Sequence, residues 1–230
     1  MVGVPQTSSP LPAAVLWDMD GTLVDTEPLW IAAETELVTR YGGKWSHEDG
    51  LKMVGNPMAV TAQTLHERGV DLPLDEIVDF LNERVAAGVE RSTPWQPGAR
   101  ELLDALAAAG VPMALVTSSF RRLAEPFAHV AGCFDVVVAG DDVVNKPDPA
   151  PYLRAAALLG VPIEGCVAVE DSRTGITSAL ASGARTVGVE VFQPVEPRPG
   201  LVRVSDLLGL DLRWFAALVE GEVAGDGVHA

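Results

Sequence analysis

Acidic, hydroxyl and lysine side chains follow separate apolar segments of this 230-residue chain. The set comprises Asp18 and Asp20, Thr117 and Ser118, Lys146, and Glu170 and Asp171. Carboxylates gathered in one place repel each other unless protons or a cation relieve them, and oxygen donors without His or Cys are the ligands that Mg²⁺ prefers. A lysine and hydroxyls supply the charge and the donors that phosphoryl oxygens need. The residue types therefore predict a magnesium-dependent reaction on a phosphate ester, in which a carboxylate attacks phosphorus.

The side chains can converge because each group follows a predicted strand. Short apolar segments, mostly unalternated and often β-branched, predict strands buried on both faces at 13–17, 111–116, 134–138, 166–169 and 186–191. Apolar residues at helical spacing predict helices between these strands, at 99–110, 148–160 and 172–183. This alternation predicts an α/β fold with a doubly wound, Rossmann-like parallel sheet, whose ligands bind beyond the carboxyl ends of the strands. At that edge, the tight turn at Met19 and Gly21 adds backbone N–H groups that can cradle an anion.

One part of the chain breaks the alternation. Between the first strand and residue 93 no buried strand is predicted, and helical patterns occupy 28–41, 46–53, 57–69 and 74–90 instead. We therefore expect an all-helical cap domain at 26–92, inserted into an α/β core domain formed by 1–25 and 93–230.

Composition excludes several classes of protein. The 16 Lys and Arg against 32 Asp and Glu give a net charge of −16, which disfavours nucleic acid and anionic membranes as partners. The 48% of hydrophobic residues supply a sizeable core, so a disordered acidic chain is not expected. No apolar run reaches the length of a membrane span, and residues 1–12 lack the features of a signal peptide. Cys133 and Cys166 are predicted to be reduced thiols, so we expect a cytoplasmic enzyme. A monomer is the default expectation, and the expected partner is a small phosphate ester.

The motifs resemble those of a known family. The segments DMDGTLVDTE (18–27), LVTSS (115–119), NKPDPAPYL (145–153) and VEDSRTGI (169–176) occur in this order after alternating strands. Together they resemble the haloacid dehalogenase superfamily, in particular the branch of sugar-phosphate phosphatases and β-phosphoglucomutase. The four motifs span 18–176, and their combination is far more specific than any one of them.

The resemblance implies a role for each motif residue. Asp18 would be the nucleophile, and Asp20 the general acid and then the base for the attacking water. Thr117 and the backbone around Ser118, with the Met19–Gly21 turn, would bind phosphoryl oxygens. Lys146 would neutralise charge on the nucleophile and the phosphoryl group. Asp18, Asp171 and the Asp20 carbonyl would bind Mg²⁺, with Glu170 acting directly or through a water, while Asp25 and Thr26 would form the hinge to the cap.

Hydrolysis competes with two other predicted functions. Related mutases carry a histidine where Trp30 stands and an arginine in the cap loop that contains Asn56, and both departures favour a phosphatase over a β-phosphoglucomutase-type enzyme. Members of the dehalogenase branch lack the second aspartate of the first motif, so the presence of Asp20 disfavours that branch. A receiver-like signalling module also gathers acidic residues, a hydroxyl, a lysine and Mg²⁺, but in a different order and without a cap. We therefore expect a phosphomonoester hydrolase of a sugar phosphate, with the mutase and the receiver as alternatives.

Overall fold

A computed structural model describes residues 10–53, 58–191, 194–223 and 225. Within these residues, six strands form one parallel sheet in the order β3-β2-β1-β4-β5-β6. The strands are β1 Ala14–Trp17, β2 Met113–Val116, β3 Val136–Val138, β4 Cys166–Glu170, β5 Arg185–Val189 and β6 Leu201–Val204. The first five confirm the predicted strands, whereas β6 was not predicted.

Helices cover both faces of the sheet, as expected of a doubly wound fold. The helices are α1 Glu27–Arg40, α2 His47–Leu51, α3 Met58–Glu67, α4 Leu74–Arg91, α5 Ala99–Ala108, α6 Arg121–Ala131, α7 Ala150–Leu159, α8 Arg173–Ser182 and α9 Leu212–Glu220, and a short 3₁₀ helix spans Ile163–Gly165. Side chains of β1 alternate between the faces, since Leu16 packs with Tyr152 of α7 and Trp17 packs with Phe215 of α9. The sheet is therefore buried between two helical layers.

The described residues between β1 and α5 contain helices α1 to α4 and no strand of the sheet, which confirms a helical insertion in an α/β core. The chain enters and leaves this insertion through two paired segments. The N–H of Asp25 donates to the carbonyl of Pro94 at 2.9 Å, and the N–H of Gln96 donates to the carbonyl of Leu23 at 2.8 Å. This pairing lies beside the expected boundaries at 25/26 and 92/93, which stay predictions.

The structure does not describe part of the cap loop. Asn56 lies outside the described residues, as does residue 57 at the expected start of the third cap helix. Among the described residues, no helix combines the length and the hydropathy that a membrane span requires.

Candidate active site

The sheet order brings the predicted site residues together. Because β2 and β4 lie on either side of β1, the residues that follow these strands meet at their carboxyl ends. Asp18 follows β1, Thr117 follows β2, and Asp171 follows β4. The loop after β3 delivers Lys146 to the same place, where its ammonium contacts Asp18.

Lys146 is the centre of this site. Its Nζ donates to Asp18 Oδ1 at 2.6 Å, to Glu170 Oε1 at 2.6 Å and to the carbonyl of Val116 at 2.8 Å. The side chain is only 2% exposed. Burial alone would lower the pKa of Lys146, but the adjacent Asp18 and Glu170 carboxylates raise it above its ordinary value. The ammonium is therefore charged and held against the predicted nucleophile.

Glu170 is fully buried and anchors Lys146. Its Oε1 also accepts from the Tyr152 hydroxyl at 2.8 Å, and its Oε2 accepts from the N–H groups of Asp171 and Ser172, both at 3.2 Å. Burial and the Glu170 charge raise the pKa of Tyr152 well above its ordinary value, so the phenol stays protonated and donates. Since both Glu170 oxygens already accept hydrogen bonds, a role at a metal through a water fits this residue better than direct ligation.

Three carboxylates form a group suited to a divalent cation. One oxygen from each of Asp18, Glu170 and Asp171 lies within 4.8 Å of the other two. If ionised, they carry −3 against the +1 of Lys146, which leaves −2 in a largely buried place. Burial, with repulsion from Glu170, raises the pKa of Asp18 well above its ordinary value and that of Asp171 to about 7. Oxygen donors with uncompensated negative charge fit Mg²⁺, for which Asp18 and Asp171 are the best placed ligands.

Gly21 allows Asp171 to approach the β1 loop. A Cβ built at Gly21 would lie 2.1 Å from Asp171 Oδ2, and Gly21 has a φ of +92°. The hydroxyl of Thr22 donates to the other oxygen, Oδ1, at 3.2 Å. The motif thus provides the space and a hydrogen bond that fix this carboxylate beside Asp18.

Asp20 is held by hydroxyl groups from two elements. Thr26, immediately before α1, donates to Oδ1 at 2.5 Å, and Ser119, in the loop after β2, donates to Oδ2 at 2.7 Å. Thr117 lies farther away, at 3.5 Å. Burial raises the pKa of Asp20, while the hydrogen bonds from Thr26 and Ser119 oppose that rise.

The loop that follows β2 is fixed by its neighbours. The hydroxyl of Ser118 donates to Asn145 Oδ1 at 2.8 Å, and the Ser119 N–H donates to Thr117 Oγ1 at 2.9 Å. A Cβ at Gly140 would lie 2.0 Å from the carbonyl of Ser118, so the next loop packs directly on it. Thr117 and Ser118 therefore lie on a constrained turn next to Asp18 and Asp20.

The side chains of Met19 and Asp25 have other contacts in the structure. The Met19 side chain is fully buried in the core, so that only its backbone can contribute to an anion cradle. Asp25 Oδ1 accepts from the Glu27 N–H at 3.3 Å, an arrangement that supports the start of α1.

The side chains that orient the carboxylates were not among the predicted site residues. Thr22, Ser119 and Tyr152 all belong to the quoted motifs, and Thr26 was assigned only to the hinge. The sequence indicated a role for these residues only through their positions in the motifs. The direction of each hydroxyl depends on backbone geometry that residue type does not reveal.

Comparisons with known proteins indicate one family of hydrolases. The family model described as haloacid dehalogenase-like hydrolase matches residues 15–189. Protein CbbY of Rhodobacter capsulatus is 35% identical over 189 residues, 76% of this chain and 83% of that protein. Hexitol phosphatase A of Escherichia coli K12 is 34% identical over 178 residues, 76% of this chain and 81% of that protein. The crystal structure of CbbY from Rhodobacter sphaeroides in complex with phosphate superposes with a TM-score of 0.75 at 28% identity, covering 87% of this chain and 96% of that one.

Proposed function

Because this chain belongs to the haloacid dehalogenase-like hydrolases and is a phosphoric monoester hydrolase by its likeness to their phosphatases, we propose the finer steps of its reaction. The protein hydrolyses a small phosphorylated metabolite, in particular a sugar phosphate, with Mg²⁺ and through an aspartyl-phosphate on Asp18. The observation that carries the proposal is the contact of Asp18 with Lys146 at 2.6 Å, beside the carboxylates of Glu170 and Asp171.

The proposed reaction has two steps. An Asp18 oxygen attacks phosphorus in line, the bond from phosphorus to the ester oxygen breaks, and Asp20 gives its proton to the departing alcohol. Asp20 then takes a proton from a water that attacks the phospho-aspartate, and inorganic phosphate leaves as Asp18 is regenerated. Thr117 and the Ser118 backbone hold phosphoryl oxygens, and Lys146 stabilises the charge that develops on them.

A divalent cation would offset the negative charge that Lys146 leaves in the site. Asp18, Asp171 and the Asp20 carbonyl would hold Mg²⁺, which when bound supplies positive charge to the phosphoryl oxygens and the nucleophile. Glu170 keeps Lys146 and the Asp171 loop in position through hydrogen bonds of 2.6 Å and 3.2 Å.

The substrate class rests on the relatives. One relative is named a hexitol phosphatase, and the chain covers 81% of its length, which supports a phosphorylated sugar or sugar alcohol as the substrate of this chain. We also propose a cytoplasmic location, which the free thiols of Cys133 and Cys166 support. The proposed oligomeric state is a monomer, which size-exclusion chromatography with light scattering would check.

A phosphatase assay tests the proposal. We expect release of inorganic phosphate from 4-nitrophenyl phosphate and from members of a sugar-phosphate panel, dependent on Mg²⁺. Asp18→Asn should lower kcat by at least about 10³-fold, because an amide is not a nucleophile for phosphorus. Asp104→Asn, the same change at an exposed residue of α5, should leave kcat unchanged.

The same assay separates the alternatives. β-Glucose 1-phosphate that yields glucose 6-phosphate faster than free phosphate would establish a mutase. Stoichiometric labelling of the protein without turnover would contradict the enzyme and favour the receiver-like module. Full activity of Asp18→Asn would contradict the assigned nucleophile.

A further inference from the structure

The hydrogen bonds of Asp20 are divided between the two parts of the chain that flank the site. Oδ1 accepts from Thr26, at the entry to the helical insertion, and Oδ2 accepts from Ser119, in the core loop between β2 and α6. Each carboxylate oxygen therefore has a hydroxyl donor within 2.7 Å. A carboxyl group held at both oxygens has little freedom to rotate, so its orientation toward a bound ester is fixed.

Ser119 is better placed than Thr117 to hold the second oxygen. The Ser119 hydroxyl lies 2.7 Å from Asp20 Oδ2, against 3.5 Å for the hydroxyl of Thr117. Thr117 Oγ1 also accepts from the Ser119 N–H at 2.9 Å, and the proposed function requires that hydroxyl for phosphoryl oxygens. The two hydroxyls therefore have separate tasks, although they are only two residues apart.

The backbone of Ser119 is constrained as well. Its carbonyl accepts from the Gly140 N–H at 2.9 Å, and its own N–H donates to Thr117. The neighbouring Ser118 bonds Asn145 at 2.8 Å. A hydroxyl on such a fixed loop can orient another side chain, since its own position varies little.

From these contacts we propose that Ser119 is a positioning residue, whose hydroxyl aims the Asp20 carboxyl group at the leaving-group oxygen of the substrate. The inference rests on the proposed function, in which Asp20 protonates the departing alcohol as the phosphorus–oxygen bond breaks. Ser119 itself exchanges no proton with substrate. Its contribution is the geometry of the proton transfer.

This role makes the effect of Ser119 depend on the leaving group. A sugar alcohol departs as a poor leaving group and needs a well-aimed acid, whereas 4-nitrophenolate departs readily without one. The ratio kcat/KM reports the steps up to release of the alcohol, so it includes this proton transfer and excludes the later attack of water. The later attack of water needs Asp20 as base for every substrate, so kcat should fall for both classes.

The experiment compares Ser119→Ala with the wild-type protein on a sugar phosphate and on 4-nitrophenyl phosphate, with Mg²⁺. We expect kcat/KM to fall about 10–100-fold for the sugar phosphate and less than about 3-fold for the aryl ester. A retained kcat/KM on the aryl ester shows that the variant is folded. Ser182→Ala, the same change at a buried residue near the end of α8, should alter neither value, and Ser119→Thr, which keeps a hydroxyl, should preserve the ratio.

Two results would overturn the inference while leaving the proposed function intact. One is an equal loss of kcat/KM on both substrates in Ser119→Ala, which indicates a general structural role. The other is an unchanged sugar-phosphate kcat/KM. A wild-type protein that hydrolyses neither ester would instead contradict the proposed function.

Discussion

At the scale of single residues, two glycines of the motifs are needed because neighbouring carboxylates occupy the space that a Cβ at these positions would fill. A Cβ at Gly21 would lie 2.1 Å from Asp171 Oδ2, and one at Gly175 would lie 1.8 Å from Glu170 Oε1. Both distances are far below van der Waals contact. The glycines therefore let Glu170, at the end of β4, lie against the first turn of α8 and let Asp171, directly after β4, reach the β1 loop.

Gly21→Ala should lower both the activity and the stability of the protein. Its φ of +92° and its contact with Asp171 both oppose a side chain, whereas Gly110, with a φ of +71°, faces no atom within 4 Å. We expect Gly110→Ala to lower the free energy of unfolding by about 1 kcal/mol through backbone strain alone and to keep full activity. Gly21→Ala should lower that free energy further and reduce kcat/KM by at least about 10²-fold. Denaturant unfolding and phosphatase assays check both, and equal behaviour of the two variants would contradict the role of the Asp171 contact.

Much of the site could be predicted because its chemistry depends on residue type and strand position. Asp18, Lys146 and Asp171 follow strands, and the structure brings them within hydrogen-bonding or ligand distance of one another. The site function of these residues is still a prediction. The side chain of Met19 is fully buried in the core, which leaves the backbone of its turn for the predicted anion cradle.

At the scale of elements, the strands found from sequence contain apolar runs, such as Ala14–Trp17 and the edge strand Val136–Val138. The missed strand β6, Leu201–Val204, forms the other edge of the sheet, and the half-buried Arg203 interrupts its apolar run. Helix α6 was not predicted either. It contains Pro126 in its interior, a residue that indicates a helix end when only the sequence is considered.

Helix α1 carries a buried acid whose ionisation opposes folding. Glu34 is only 3% exposed, and its Oε2 accepts from Trp45 Nε1 at 3.1 Å. Burial raises the pKa of Glu34 to about 7 from the ordinary value of 4.5, although the Trp45 hydrogen bond opposes the rise. The folded state therefore binds a proton that the unfolded state releases between pH 4.5 and 7, so the contribution of Glu34 to stability falls as pH rises through this range.

Glu34→Gln should remove this pH dependence. An amide cannot ionise and can still accept from Trp45, so we expect the variant to be more stable than the wild-type protein above pH 7, by on the order of 2 kcal/mol. The difference should shrink toward zero at pH 4.5. Glu83→Gln, the same change at an exposed position of α4, should give no such pH-dependent gain. Urea unfolding between pH 4.5 and 8 measures the effect, and a pH-independent difference would contradict it.

At the scale of the whole molecule, the helical insertion and the core are packed together. One cluster of buried side chains includes Leu81 and Val85 of α4 together with Leu123 and Phe127 of α6. Asp79 and Arg122 form an ion pair between the same two helices. Thr26 adds a hydrogen bond from the start of α1 to Asp20, so the position of the insertion is linked to the predicted general acid.

The net charge of −16 acts on the molecule in two different ways. Exposed acidic residues repel each other, and any salt screens that repulsion. The carboxylates of Asp18, Glu170 and Asp171 are packed within 4.8 Å, where Lys146 offsets only one of three charges. Screening by bulk ions is weak for such buried groups, so their repulsion is relieved by protonation or by a cation bound among them.

Magnesium should therefore stabilise the protein beyond the effect of ionic strength. At a concentration about 100 times its Kd, a ligand of the folded state adds about 2.7 kcal/mol, which in a chain of this length raises Tm by about 5–11 °C. Sodium chloride at matched ionic strength should give only the smaller shift due to screening. Asp171→Asn keeps the side-chain shape and an acceptor for Thr22 but removes a ligand charge, so Mg²⁺ should shift its Tm no more than sodium chloride does. Differential scanning calorimetry measures all four conditions, and an equal Mg²⁺ shift in both proteins would place the stabilising cation on the acidic surface instead of at Asp171.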